Sequence, residues 1–268
     1  MKFTAAAIQM LASDDKAANL AEAARWVRQS VAAGAKLVAL PEVFIWRGEK
    51  RSERAAAEAI PGPASTAMAD LARELGIYLL AGSILEAIPG SAKAFNTSLL
   101  FDPSGKLIAS YRKIHLFDVD LANKVSARES ETRAAGETVV MAETELCKMG
   151  LSVCYDLRFA ELYREQARRQ ADLIFVPSAF TAYTGKAHWE PLLRARAIEN
   201  QVYVIAPNQF GKNPQSFETY GHSMIVDPWG ELVAVLPGGP GFVLGEIDLD
   251  YLSRVRRELP CLAHRRLS

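Results

Sequence analysis

The chain has 268 residues, with 31 Lys plus Arg against 31 Asp plus Glu, so its formal charge is zero and no global field recruits nucleic acid or an anionic membrane. Half of its residues are hydrophobic and 23% are charged, which excludes a disordered chain, and three cysteines without a CxxC pair exclude a disulfide framework or a zinc site. No apolar run reaches the roughly 18 residues of a membrane span, so the expected setting is the cytoplasm and the expected partner a small molecule, with no nucleic acid and no membrane.

Residues 3–10 are a short apolar run that Gln9 and then Ser13-Asp14-Asp15 cut short; this is a first strand rather than a leader peptide. Ser13 is the expected N-cap of a helix carrying Leu20, Ala24, Val27 and Val31 at helical spacing and ending at Gly34. Residues 36–40 read as a buried strand stopped by Pro41, residues 43–63 as a loop or partly helical excursion, and Ser65 as the cap of a helix running to Gly76. Three antiparallel strands follow at 77–88, 96–101 and 106–113, separated by Pro89-Gly90-Ser91 and Asp102-Pro103-Ser104-Gly105. Residues 116–137 are polar and weakly periodic, a long loop. Strands at 138–142 and 150–154 precede two strand-helix-strand units, with helices at 159–169 and 187–200 and strands at 172–176 and 202–207. A hairpin around Pro228-Trp229-Gly230, a last strand at 242–247 and an arginine-bearing tail from about residue 250 complete the chain. No linker or repeat divides it, so residues 1–268 are expected to form a single α/β domain.

Three residues stand at predicted strand ends and bear different chemistry. Cys154 closes a strand just before a helix, where a thiol is presented at the sheet edge beside the partial positive charge of a helix N-terminus. Taken alone, however, a cysteine is more often a buried structural residue. Glu42 follows Pro41 against apolar Val43, Phe44 and Ile45, a setting suited to a general base, although a solvated loop glutamate is the commoner case. Lys113 ends an alternating strand, where a lysine can equally guard a sheet edge. Together they supply a nucleophile, a base and a cation, the parts of an acyl-transfer site. A Cys–His protease scheme has no supporting order or signature among the four histidines, and Gly238-Gly239-Pro240-Gly241 lacks the lysine of a phosphate loop.

The blocks Leu40-Pro41-Glu42, Tyr111-Arg112-Lys113-Ile114-His115-Leu116-Phe117-Asp118 and Val153-Cys154-Tyr155-Asp156-Leu157-Arg158-Phe159 resemble, in this order, the nitrilase superfamily of carbon-nitrogen hydrolases. Further blocks at Pro177-Ser178-Ala179-Phe180, Thr184-Gly185-Lys186-Ala187-His188-Trp189-Glu190, Arg194-Ala195-Arg196-Ala197-Ile198-Glu199-Asn200 and Tyr220-Gly221-His222-Ser223-Met224 extend the resemblance over nearly the whole chain, and the later ones look most like the Nit branch. The resemblance implies an α-β-β-α sandwich that pairs through its helical faces into a homodimer or larger homo-oligomer. It implies that Glu42 is the general base, Lys113 the cation and Cys154 the nucleophile, with Glu129 as a second glutamate near the lysine. Tyr155 is expected to offer its backbone N–H to the oxyanion and Arg158 to bind a substrate carboxylate; Phe180 and His188 join them as substrate-binding residues. No metal and no cofactor are implied. The implied activity is hydrolysis of a small carboxylate-bearing amide to acid plus ammonia through a Cys thioester, with deaminated glutathione as the favoured substrate. The alternatives are an ω-amidase acting on 2-oxoglutaramate or another dicarboxylate monoamide, a nitrilase, and a non-catalytic binding protein of the same fold. Residues Ile45-Trp46-Arg47-Gly48-Glu49-Lys50 depart from the family pattern at a place that can line the substrate mouth.

Overall fold

The structure is a computed structural model that describes residues 1–121, 125–214 and 216–267. Strand β1 (Lys2–Gln9) leads through helix α1 (Lys16–Ala32) to β2 (Leu37–Ala39). Asp15, not Ser13, caps α1: its Oδ1 accepts from Ala18 N at 3.0 Å, while Ser13 Oγ accepts from Asp15 N. A 3-10 turn at Lys50–Ser52 and one helical turn, α2 (Glu53–Ala56), precede α3 (Pro63–Leu75). Proline opens α3 because it has no N–H to satisfy, so Ser65 falls inside the first turn, its Oγ accepting from Gly62 N at 2.8 Å.

The expected 77–88 strand is broken into β3 (Tyr78–Leu80) and β4 (Ile84–Ala87) at Gly82, where φ is +34° and a Cβ would lie 1.9 Å from the Pro41 carbonyl oxygen. β5 (Ala94–Phe101) and β6 (Leu107–Arg112) follow. The stretch expected as a long loop instead carries a hairpin, β7 (Asp118–Leu121) with β8 (Val125–Arg128), then a 3-10 turn at Glu129–Glu131 and β9 (Arg133–Ala134); its residues 122–124 lie outside the described residues. After β10 (Met141–Glu143) and β11 (Lys148–Leu151) a 3-10 turn spans Cys154–Arg158, so the strand stops before the cysteine rather than at it. α4 (Ala160–Arg168), β12 (Leu173–Phe175), α5 (Ala182–Asn200) and β13 (Tyr203–Ala206) form the two strand-helix-strand units. α5 starts five residues earlier than its apolar pattern suggests because Thr181 caps it, Oγ1 accepting from Thr184 N at 3.3 Å. β14 (Phe210–Gly211) pairs with β15 (Thr219–Tyr220), and β16 (Ser223–Val226), β17 (Leu232–Leu236) and β18 (Gly241–Asp248) follow. The expected tail is helix α6 (Leu249–Glu258), capped by Asp248 and held down by buried Leu252 and Val255, one turn apart beneath its arginines.

The first sheet has the order β18-β1-β2-β3-β5-β4, with β6 and β9 also on β5, and the second runs β10-β11-β12-β13-β16-β17. β1, β2 and β3 are mutually parallel, as are β11, β12 and β13; antiparallel strands flank both sets. Side-chain alternation divides the first sheet. Ala6, Ile8 and Val38 meet Val27 of α1 and Met68 and Leu71 of α3, whereas Ala5, Ala7, Leu37 and Ala39 share a core with Ile174, Val204 and Ile225 of the second sheet. α5 lies against β13 and β16 with α4 beside it, which gives the α-β-β-α layering. Alanine at successive positions on β1 removes bulk from both faces, so the two sheets and the helix layer approach closely along this strand.

Candidate active site

The parallel strands of both sheets end at one rim, and the candidate residues collect there. Leu40 continues the β2 pairing, its N–H bonding Leu80 O at 3.0 Å, and Pro41 ends the ladder. Val43, with φ +45°, bends the chain and bonds Ser83 Oγ through its N–H. Glu42, 3% exposed, is thereby fixed with three donors on its carboxylate: Lys113 Nζ at 3.0 Å and Asn96 Nδ2 at 2.8 Å reach Oε1, and Ala179 N reaches Oε2 at 2.8 Å. Gln209 Nε2, in the segment that follows β13, holds the Glu42 carbonyl at 2.9 Å.

Lys113, immediately after β6 and 1% exposed, donates also to Glu129 Oε2 at 2.9 Å. That oxygen accepts from Phe117 N as well, and Glu129 Oε1 accepts from Arg133 Nη1 at 2.6 Å; Arg133 Nη2 continues to Glu53 Oε1 at 2.6 Å. The result is a buried row of alternating sign, Glu42–Lys113–Glu129–Arg133–Glu53. Burial works against the charges of Lys113 and Glu129, yet it is overcome by their neighbours: Lys113 and Arg133 hold Glu129 down to about 2, and Glu129 with Glu42 pushes the Lys113 ammonium up.

Cys154 follows Val153 into the 3-10 turn at φ +48°, a left-handed conformation unusual for a residue with a Cβ, and its N–H bonds Pro177 O at 3.0 Å. The turn is held by buried Asp156. Its Oδ2 accepts from Val153 N at 2.9 Å and from Tyr111 Oη at 2.7 Å; its Oδ1 accepts from His115 N at 3.0 Å and lies 2.7 Å from His115 Nδ1. Asp156 thus ties the cysteine turn to the strand end that carries Lys113. Burial pushes the Cys154 thiol well above its ordinary value, and the Glu42 carboxylate adds to this; Lys113 and the Ala179 N–H pull the other way. The expected thiol-lowering helix N-terminus is a short 3-10 turn inside a dry site, so the sulfur is held as the thiol until a base takes its proton.

Glu42, Lys113, Glu129, Cys154, Tyr155, Arg158 and Phe180 line one narrow cleft together with Phe117, Ala179 and Phe217. Arg158 packs its guanidinium over Phe180 and Tyr155, at 5.1 and 5.7 Å from their ring centroids. His188 does not line the cleft: it is exposed on α5 with Nδ1 3.2 Å from Arg158 Nη1, so its contact with the cleft runs through the arginine. Asn96, Asp156, Arg133 and Glu53 escape sequence reasoning, since nothing local marks a strand asparagine or a helical-turn glutamate as part of a site. The cleft opens into a larger cavity of about 860 Å³ whose wall includes Trp46, Arg47 and Lys50 of the divergent segment.

A family model described as carbon-nitrogen hydrolase matches residues 4–257. Omega-amidase NIT2 of Xenopus tropicalis is 40% identical over 265 residues, 99% of this chain and 95% of its own. Deaminated glutathione amidase of Synechocystis sp. is 43% identical over 266 residues, 98% of each chain. Among solved structures, Nit3 of Saccharomyces cerevisiae, a member of branch 10 of the nitrilase superfamily, superposes with a TM-score of 0.90 at 36% identity over 99% of this chain and 97% of that one. The C. elegans NitFhit protein gives 0.93 at 38% identity over 99% of this chain, which spans 65% of its length. A thiol, a carboxylate and an ammonium in one buried cleft, in a chain that matches this family almost throughout and these relatives along nearly their whole length, lead to one conclusion: the chain belongs to the carbon-nitrogen hydrolase family and is a hydrolase of carbon–nitrogen bonds.

Proposed function

We propose that the chain hydrolyses a small amide bearing a carboxylate, with Cys154 as nucleophile, Glu42 as base and acid in turn, and Lys113 as the cation beside the developing charge. The observation that carries this reading is the buried Glu42 carboxylate, which Lys113 Nζ meets at 3.0 Å in the cleft that also holds Cys154. Glu42 takes the thiol proton as sulfur attacks the carbonyl carbon, and the oxyanion that forms faces the Lys113 ammonium and the Tyr155 N–H; loss of one such donor typically costs about 3–4 kcal/mol. The carbon–nitrogen bond breaks as Glu42 returns the proton to the departing nitrogen, which leaves a thioester. Water then adds to the thioester with Glu42 as base, the carbon–sulfur bond breaks, and the proton on Glu42 restores the thiol. Glu129 and Asn96 are positioning residues that hold Lys113 and Glu42.

Arg158, at the cleft and stacked on aromatic rings, suits a planar carboxylate on the acyl side. The favoured substrate is deaminated glutathione, from which the departing group is the cysteinylglycine amine rather than ammonia; 2-oxoglutaramate, which releases ammonia, is the second reading. One relative is named a deaminated glutathione amidase and another an omega-amidase, at 43% and 40% identity, which supports both readings. Three free cysteines fit a reducing cytoplasm, and exposed Ile198 on α5 beside the Trp229 turn fits a helical-face homodimer.

The test is product release from deaminated glutathione, 2-oxoglutaramate, aliphatic amides and nitriles by wild type and Cys154→Ala. Wild type is expected to cleave a carboxylate-bearing amide and the variant none; retained activity in the variant refutes the mechanism.

A further inference from the structure

Among the described residues, Arg47 is a buried cation without an ion pair, and the Glu42 carboxylate acts on it only from beyond contact distance. It is 6% exposed, its Nη2 donates to Ser216 Oγ at 3.2 Å and Phe217 O at 3.3 Å, and its guanidinium lies 5.4 Å from the Phe217 ring centroid. Its Nη1 is buried without any acceptor, and no carboxylate among the described residues stands within ion-pair distance of it. The other charges on the wall of the large cavity are differently placed. Arg133 is satisfied by Glu53 and Glu129, Lys50 by Glu131, and Arg128 is exposed. A guanidinium kept dry and half-satisfied costs several kcal/mol and persists only where the surrounding fold, or a ligand, compensates it. Burial lowers Arg47 to about 10, so it remains charged at neutral pH.

Position says which end of a substrate it faces. The narrow cleft holds Cys154 and Arg158 but not Arg47; the large cavity holds Arg47 but neither Cys154 nor Arg158. Both share Glu42, Phe117, Glu129, Ala179 and Phe217 as a common wall. Glu42 hands its proton to the departing nitrogen, so the side of Glu42 away from Arg158 is the leaving-group side. We infer that Arg47 is a specificity residue for the leaving group: it binds a carboxylate carried by the departing amine, as at the C-terminus of a dipeptide, and so selects amides with an anion on each side of the scissile bond. This rests on the amidase reading above and sharpens its substrate class. The long bonds from Nη2 to the Ser216–Phe217 backbone and hydroxyl are the ones a bidentate carboxylate replaces, and Nη1 gains its missing acceptor.

The experiment compares kcat/KM for deaminated glutathione with that for the same molecule whose terminal carboxylate is a carboxamide, in wild type, Arg47→Met and Arg47→Lys. Wild type is expected to prefer the free acid by about tenfold or more, chiefly through KM, the size of one charge-assisted hydrogen-bonded contact. The preference should fall to within about twofold in Arg47→Met and be intermediate in Arg47→Lys. A wild-type ratio near one overturns the inference without any variant, and so does a ratio that Arg47→Met leaves unchanged, because a merely structural role for Arg47 lowers both rates together. Failure of the amidase reading is a separate result: no Cys154-dependent hydrolysis of either compound, which removes the inference with it.

Discussion

Glu129→Gln is the substitution that most directly probes the buried row of charges. Glu129 is used only as an acceptor: Lys113 Nζ, Phe117 N and Arg133 Nη1 all donate to its two oxygens. Glutamine keeps the shape but offers one oxygen, so its amide N–H₂ must face one of these donors. Two magnitudes agree on the cost. Holding Glu129 at about 2 instead of 4.5 corresponds to about 3 kcal/mol, and removing one partner from a buried ion pair typically costs about 3–5 kcal/mol. The sign follows from the depressed value: the carboxylate's contribution is complete above its unfolded value of 4.5 and is lost as pH falls toward 2. Urea unfolding should therefore show the variant about 3 kcal/mol less stable at pH 7, with the gap narrowing below pH 4.5 and nearly gone at pH 2. At pH 7 kcat should drop about 100-fold, since Lys113 is then oriented by Glu42 alone. An equal stability gap at pH 7 and pH 3 would refute the reasoning, because it would mean that Glu129 contributes shape and not charge.

Three further outcomes are expected. Alkylation of Cys154 by iodoacetamide should keep rising through about pH 9, because burial and Glu42 hold the proton on sulfur, and Glu42→Gln should move the profile to lower pH; a wild-type plateau below about pH 8 contradicts the dry-thiol description. Asp156→Asn leaves one side-chain oxygen for the donors of Val153, Tyr111 and His115, so about 2–3 kcal/mol of stability and about 100-fold in kcat should be lost together; unchanged kcat in a folded variant would detach the turn from the reaction. Gly82→Ala drives a Cβ to 1.9 Å from the Pro41 carbonyl at a φ of +34°, so Glu42 must move; a thermal scan should show a loss of about 2–3 kcal/mol, and wild-type kcat in this variant would show that the Pro41–Glu42 turn tolerates displacement.

Much of this site is legible in the residues because strand ends are. A proline after a buried run puts Glu42 at the rim, and alternation ending at Arg112 puts Lys113 there. Where local cues compete with pairing, the reading fails for physical reasons. The hairpin of Asp118–Leu121 with Val125–Arg128 does alternate, with Val119, Leu121, Val125 and Ala127 on one face, but each strand is only four residues long, so the period-2 signal is too short to stand out from the polar residues around it. The last helix hides behind its arginines because only Leu252 and Val255 of it are fully buried, with Leu249 and Tyr251 partly buried against the core. The first turn of α5 contains Thr184 and Gly185, poor helix formers that the Thr181 cap overrides. Glu53 and Arg133 are invisible for another reason: each is an ordinary charged residue until the fold sets them 2.6 Å apart.

The pairing of β1 with β18 bears on how the site is assembled. Lys2 faces Asp248 and Gln9 faces Gly241, so one edge of β1 is completed by β18, which lies far from it along the chain. Gln9 Oε1 also accepts from Ser223 N at 2.9 Å, and Gln209 holds the Glu42 carbonyl, so the rim at Glu42 is fixed by bonds that span most of the chain. Contacts of such separation are slow to form and close late. The geometry of the cleft therefore depends on contacts between distant parts of the chain, and not only on the local turns that carry its side chains.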